Sequence, residues 1–133
     1  MVIRYPEGIK DTVLLASIIK PVLEAIIYLH NNSQIHRSIK GSNILLSKNG
    51  LIKLSDFGLS SKIKKNEKKH TLCGSACWMA PEVLDNDGQG YDLKADIWSL
   101  GMTAIEMARG SAPYSQESGM KAILKILHED PPT

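Results

Sequence analysis

Four short motifs follow one another in a fixed order and limit what this chain can fold into more than any other feature of its sequence. They are His36–Asn43, Asp56–Gly58, Ala80–Glu82 and Asp96–Gly101. Between the first two, Lys48–Gly50 is a strong turn signal flanked by apolar runs, which predicts a β-hairpin. Any one of these motifs would be weak evidence. All four in order around a hairpin are very improbable by chance.

The hydrophobic pattern predicts three helices. Apolar residues recur at helical spacing over Thr12–Asn31, directly after Asp11, a good helix N-cap. Leu93–Arg109 predicts a helix that is buried on nearly all sides, and Gly119–His128 predicts a last one. Pro21 conflicts with the first helix, because a proline inside a helix lacks an N–H and costs about 3 kcal/mol.

The predicted strands are short. Ile44–Leu46 leads into the turn and Leu51–Leu54 returns from it. Ser60–Thr71 is polar and shows no periodicity, which predicts a mobile loop. A solvated face is the ordinary interpretation of its basic run, and docking of an acidic partner or a membrane surface is the alternative. The run consists of Lys62, Lys64, Lys65, Lys68 and Lys69.

Composition excludes several classes of protein. A length of 133 residues with 43% hydrophobic and 23% charged residues predicts one soluble domain, and a net charge of +2 is too weak to indicate nucleic acid or membrane binding. Val13–Leu29 is interrupted by charges, so we expect no membrane span, and Met1–Lys10 has no signal-peptide pattern. Cys73 and Cys77, even with His70, are too few ligands for structural zinc and are expected to be reduced, in a cytoplasmic protein.

The four motifs together look like the signature set of protein kinases. Gly41–Asn43, Cys77–Glu82 and Gly90–Asp96 resemble the germinal-centre branch of the STE group, and Ala112–Tyr114 and Asp130–Pro132 point to its oxidative-stress-responsive and SPAK-type members. The resemblance implies an α+β, mainly α fold. That fold is the C-terminal lobe of a kinase, with short β-hairpins and without the N-terminal lobe.

The activity implied by the resemblance is ATP-dependent phosphorylation of serine or threonine on proteins. Lys40 would neutralise the transferred phosphate, Asn43 and Asp56 would hold Mg²⁺, and Leu45 would lie under the adenine ring. The nucleotide site implied is therefore Lys40, Asn43, Leu45 and Asp56. The alternative for Asn43 and Asp56 is that they are turn residues that cap a hairpin.

Ser38 is the departure that matters most. It stands where the resembled family has a catalytic aspartate, which accepts a hydrogen bond from the substrate hydroxyl and orients it. Serine carries no negative charge and no useful basicity near neutral pH. Losing a positioned base costs about 10²- to 10⁴-fold in rate, so we expect activity to be lost or strongly impaired. A drifted gene copy or a sequence error is the alternative explanation.

The resemblance also implies regulation in the segment before Ala80. Thr71 aligns with a phosphorylated threonine, and a phosphate there would add about −1.5 to −2 charges. Arg37 would pair with it through its two-pronged guanidinium. Ser75 keeps the hydroxyl of a threonine that normally hydrogen-bonds the catalytic pair. The alternative for Thr71 is one hydroxyl in a mobile loop.

Three further residues, His36, Glu82 and Asp96, are expected to be structural. In the resembled fold Asp96 accepts hydrogen bonds from the loop backbone around His36 and Arg37, and this scaffold does not depend on catalysis. Glu82 pairs in that family with an arginine further along the chain, and that arginine has no counterpart here.

Residues 1–133 are thus interpreted as a partial kinase domain. The residues before His36 contain no glycine-rich loop, strand lysine or helix glutamate, so ATP and Mg²⁺ would bind weakly if at all. Three hypotheses stay open: an impaired part of a kinase, a pseudokinase-type scaffold or binding module, and a truncated copy without function. The expected partners are a protein substrate or partner kinase, not nucleic acid. Self-association through an exposed apolar lobe interface is also expected.

Overall fold

The structure is a computed structural model that describes residues 6–64, 67–71, 74–85 and 88–133. It is mainly helical, with two small antiparallel sheets. The helices are α1 (Thr12–Asn31), α2 (Pro81–Leu84), α3 (Ala95–Arg109) and α4 (Gly119–His128). The strands are β1 (Gln34–Ile35), β2 (Ile44–Leu46), β3 (Ile52–Leu54) and β4 (Ser61–Lys62). Short 3₁₀ turns cover Gly41–Asn43, Phe57–Leu59 and Ala76–Trp78.

Helix α1 has the predicted bounds and runs through Pro21. The Asp11 carboxylate accepts hydrogen bonds from the backbone N–H groups of Val13 and Leu14 at 2.9 and 3.1 Å, which confirms the predicted N-cap. By length and composition alone, α1 is also apolar enough to cross a membrane. One such helix is weak evidence of a span, because core helices of soluble proteins pass the same test.

The hairpin is confirmed: β2 and β3 are paired, with Ile44 opposite Leu54 and Leu46 opposite Ile52. Its turn closes through Gly50, which donates to the Ser47 carbonyl at 3.0 Å and adopts a φ of +81°. A positive φ is the reason for glycine at this position. The returning strand begins at Ile52, one residue later than predicted.

Helices α3 and α4 are confirmed, with α3 starting at Ala95 rather than Leu93. The prediction that α3 is buried on nearly all sides is wrong at Ile97, which is 46% exposed. Gly110 ends α3 in the left-handed conformation, with a φ of +86°. Gly8 crosses this end of the helix so closely that a Cβ there would collide with the Ala108 carbonyl.

Two apolar clusters hold the elements together. The first consists of Val22, Ile26, Ile39 and Leu100, and joins α1 and α3 to the segment before β2. The second consists of Ile35, Ala80, Tyr91 and Ala95, and joins β1 to the N-terminal ends of α2 and α3. The segment between β1 and β2 thus lies between the two clusters, which fixes the backbone of the first sequence motif.

The segment Ser60–Thr71, which was predicted to be a mobile loop, contains short paired stretches in the structure. Strand β4 pairs with β1, Ile63 is buried, and Lys69 forms an isolated β-bridge with Tyr91. The pattern escaped detection because each paired stretch is only one or two residues long. Of the basic run, Lys68 and Lys69 form ion pairs, with Asp92 at 2.7 Å and Glu67 at 3.4 Å, and Lys65 lies outside the described residues.

The cysteines give no metal centre in the part of the chain that the structure describes. Among those residues no group of three or more His, Cys, Asp or Glu side chains could hold a metal ion. Cys77 is a free, half-buried thiol, and burial raises its pKa. Cys73 lies outside the described residues.

Candidate active site

The buried carboxylate of Asp96 holds the loop that carries most of the candidate site residues. Its two oxygens accept hydrogen bonds from the backbone N–H groups of His36 and Arg37, both at 2.9 Å. His30 Nε2 lies 2.9 Å from the same carboxylate, and Asp96 itself is 0% exposed. Arg37 adopts a φ of +68°, a conformation that costs a non-glycine residue roughly 1–3 kcal/mol and persists only where the surroundings enforce it.

Ser38, Asn43 and Asp56 form one hydrogen-bonded cluster. Ser38 Oγ donates to Asp56 Oδ2 at 3.1 Å, and Asn43 Nδ2 lies 2.9 Å from Ser38 Oγ and 3.2 Å from Asp56 Oδ2. Asn43 Nδ2 also donates to the Ser38 carbonyl at 2.7 Å. Asp56 is exposed and, like Arg37, left-handed, with a φ of +66°. The serine hydroxyl therefore joins the two side chains that the sequence assigns to a metal.

Lys40 contacts two residues of the segment before Ala80. Its ammonium group donates to Ser75 Oγ at 3.1 Å and stands 6.0 Å from the centre of the Trp78 ring. The structure thus brings Ser75 to the predicted site through Lys40. With Ser38 neutral, the charges among these residues are those of Lys40 and Asp56, one of each sign.

Two of the predicted residues lie apart from this cluster. Leu45 is 50% exposed in the middle of β2. Glu82 is exposed on α2, and no ion pair joins it to another of the described residues.

Arg37 reaches away from the cluster, towards the segment before Ala80. Its Nε donates to the Leu59 carbonyl at 2.6 Å and one terminal nitrogen donates to the Tyr91 hydroxyl at 3.3 Å. That hydroxyl donates in turn to the Thr71 carbonyl at 2.7 Å. Arg37 and Thr71 are therefore connected through the Tyr91 hydroxyl. Thr71 itself is exposed.

Comparison with known proteins decides the family. The protein kinase domain model matches residues 3–131, nearly the whole chain. The chain belongs to the protein kinase family. Its four motifs therefore lie within a protein kinase domain, the family whose signature motifs they resemble.

The relatives it resembles are serine/threonine kinases and include germinal-centre and hippo kinases. It is 47% identical to germinal center kinase 3 of Caenorhabditis elegans over 95% of this chain, and 45% identical to serine/threonine-protein kinase hippo of Drosophila melanogaster over 90%. It is 44% identical to serine/threonine-protein kinase fray2 of Dictyostelium discoideum over 97%. These names support the STE group. The chain spans only 22%, 18% and 12% of the lengths of these three relatives, respectively.

Kinases of this family use ATP and Mg²⁺, and the site residues can be tested against that need. Mg²⁺ in such sites is bound through one or two carboxylates together with the phosphates of the nucleotide. Asp56 offers a carboxylate, and the Asn43 amide meets it at 3.2 Å through Nδ2, a hydrogen-bond donor that cannot bind a metal. Asp56 fits as the carboxylate of a metal site that the nucleotide completes, with Lys40 as the cation for its phosphates. Asn43 is turned the other way, because its amide nitrogen donates to the Ser38 carbonyl and faces Asp56.

Sequence reasoning missed Glu106, His30 and Tyr91. Glu106 Oε2 accepts hydrogen bonds from the backbone N–H of Gly41 at 2.9 Å and from the indole of Trp78 at 2.8 Å. It therefore connects α3 to two segments of the candidate site. A carboxylate between the apolar residues Ile105 and Met107 was the available signal, although it could not have indicated the partners.

The buried imidazole of His36 should make the stability of this domain depend on pH. Burial lowers its pKa from 6.5, against the opposing effect of the Asp96 charge. The unfolded chain then binds a proton that the folded chain resists, so the free energy of unfolding should fall as pH drops below about 6.5 and level off below the folded pKa. Urea titrations between pH 8 and 5 measure this.

His36→Gln removes the titrating group and should flatten that part of the profile. His128→Gln, at an exposed position, is the matched control and should keep it. An unchanged slope in His36→Gln would show that another group titrates.

Proposed function

We propose that this chain is the C-terminal-lobe part of a serine/threonine protein kinase domain, with residues 1–133 belonging to that one domain, and that its phosphoryl transfer is strongly impaired. The observation that carries the proposal is the hydroxyl of Ser38, hydrogen-bonded between Asn43 and Asp56. The scaffold around it is complete, because Asp96 holds the loop backbone. Within this loop the departure is therefore one side chain and not a disrupted backbone.

The size of the impairment follows from the chemistry of the missing group. Phosphoryl transfer needs little covalent help, and most of its rate comes from positioning and from neutralising charge. Lys40 and Asp56 keep these roles, whereas Ser38 offers neither a negative charge nor a base to the substrate hydroxyl. A loss of about 10²- to 10⁴-fold leaves a residual rate rather than none.

We infer that the subfamily is the oxidative-stress-responsive and SPAK type, from Ala112–Tyr114 and Asp130–Pro132. Thr71 is the regulatory phosphorylation site of this proposal, supported by its exposure and by Arg37 nearby. The proposed partner is a protein substrate or a partner kinase. The proposed location is the cytoplasm.

A scaffold or binding module is the second candidate function, and exposed apolar side chains on the hairpin and just after it favour it. Leu45, Leu46, Leu51 and Phe57 are each between 46% and 54% exposed. Several large apolar side chains left exposed in a small domain are surface that a partner could cover. In this second proposal the partner is a protein lobe or a second copy of this chain. The chain then acts by binding that partner and not by catalysing phosphoryl transfer.

Nucleotide binding separates the two candidates. ATP with Mg²⁺ should raise the melting temperature of this chain, because a ligand that binds only the folded state stabilises it by mass action, by about 2.7 kcal/mol at 100 times the dissociation constant. The measurement is a thermal-shift titration with and without Mg²⁺. Asp56→Asn, which keeps the shape of the side chain, should remove the Mg²⁺-dependent part of the shift.

The opposite result has an equally definite meaning. If the folded chain shows no shift with ATP at any Mg²⁺ concentration, the kinase-type nucleotide site does not exist here. Concentration-dependent association in sedimentation would then support the binding module.

A further inference from the structure

Tyr91 lies where the Glu67–Thr71 segment meets the rest of the domain. Its ring is 3% exposed and belongs to the second apolar cluster, with Ile35 and Ala80. Its backbone exchanges two hydrogen bonds with Lys69, at 2.8 and 2.9 Å. The hydroxyl therefore projects from a fixed ring and a fixed backbone, so its position is set by the core rather than by the segment that it contacts.

The hydroxyl connects two groups that lie far apart in the sequence. It accepts a hydrogen bond from the Arg37 guanidinium at 3.3 Å and donates one to the Thr71 carbonyl at 2.7 Å. One oxygen can do both, because a phenol has a single donor hydrogen and free acceptor capacity. Donor and acceptor act in series, and such chains of hydrogen bonds strengthen one another.

The bridge acts on the orientation of Arg37 as well as on Thr71. Arg37 adopts a strained backbone conformation, and the Leu59 carbonyl and the Tyr91 hydroxyl accept from the two ends of its guanidinium. These contacts exist with Thr71 unmodified. The guanidinium is thus already directed at this segment before any phosphate is present.

We propose that Tyr91 is a positioning residue whose hydroxyl holds the Glu67–Thr71 segment against the domain and orients Arg37 towards it without phosphorylation. The Lys68–Asp92 ion pair at 2.7 Å lies beside the bridge but is exposed on both sides, so it contributes little. The inference does not depend on Ser38, nucleotide binding or phosphoryl transfer. It can therefore hold where the proposed function fails.

Limited trypsin digestion tests the proposal on the complete chain. Lys68 and Lys69 are cleavage points inside the held segment, and Lys48 and Lys53 on the hairpin serve as internal references. Tyr91→Phe keeps the ring and removes both hydrogen bonds. Each is worth about 2- to 12-fold in an equilibrium, so the loss of both should accelerate cleavage after Lys68 and Lys69 by about 4- to 140-fold while cleavage on the hairpin stays unchanged.

Two matched variants make the result specific. Tyr28→Phe removes an exposed hydroxyl and should digest like the unmodified protein. Asp92→Ala breaks the Lys68 ion pair and should accelerate cleavage less than Tyr91→Phe. The proposal is overturned if Tyr91→Phe leaves the segment protected, if Asp92→Ala has the larger effect, or if the hairpin is cleaved faster in equal measure, which would indicate a general loss of stability.

Discussion

Replacing Asp96 with alanine is expected to lower the free energy of unfolding by about 3–5 kcal/mol, the usual result of removing one partner from a buried charged network. The carboxylate is 0% exposed and accepts from the backbone of His36 and Arg37. Alanine would leave these two N–H groups without an acceptor, at about 1–3 kcal/mol for each group that stays dry. The strained conformation of Arg37 would also lose the contact that enforces it.

Urea unfolding followed by circular dichroism measures the change. Asp96→Asn keeps one acceptor oxygen and should fall between the unmodified protein and Asp96→Ala. Asp92→Ala is the control for an exposed carboxylate and should cost no more than about 2.5 kcal/mol, because it removes a solvent-exposed ion pair and one hydrogen bond from the Lys94 N–H at 2.9 Å. If Asp96→Ala and Asp92→Ala cost the same, the loop is held by packing and not by this carboxylate.

Elements governed by local rules could be predicted from the sequence. Helix α1 could be located because Asp11 caps a long apolar repeat, and the β2–β3 hairpin because Lys48–Gly50 has a turn signal between apolar runs. Both depend on residues close together in the chain, where spacing and capping chemistry are visible. Strand β4 could not be predicted, because it has only two residues, too few to show an alternating pattern, and forms through its pairing with the distant β1.

The contacts of the candidate site depend on distant residues. The sequence placed Ser38, Asn43 and Asp56 in one region, since two motifs flank the hairpin. It could not show that Tyr91 bridges Arg37 and Thr71, or that Glu106 accepts from Gly41 and Trp78. Each of these hydrogen bonds joins residues between 20 and 65 positions apart. Only the packing of the two apolar clusters brings them together.

Ser38→Asp is expected to raise the rate of phosphoryl transfer to a protein hydroxyl by about 10²- to 10⁴-fold, the effect of a positioned base. The new carboxylate would stand beside Asp56, whose Oδ2 lies 3.1 Å from the present Ser38 hydroxyl. Two carboxylates this close repel unless a cation lies near them. The variant should therefore melt at a lower temperature than the unmodified protein in EDTA and recover that loss with Mg²⁺, which is a readout independent of activity.

Ser38→Asn is the matched control for this experiment, because asparagine has the shape of aspartate without its charge or basicity. Transfer of labelled phosphate to a protein substrate is compared among the three proteins at saturating ATP and Mg²⁺. An equal gain in Ser38→Asn would show that side-chain size was limiting. No gain in Ser38→Asp, with ATP and Mg²⁺ bound, would show that Ser38 is not what limits transfer. A gain confined to Ser38→Asp would leave one missing carboxylate as the cause of the impairment.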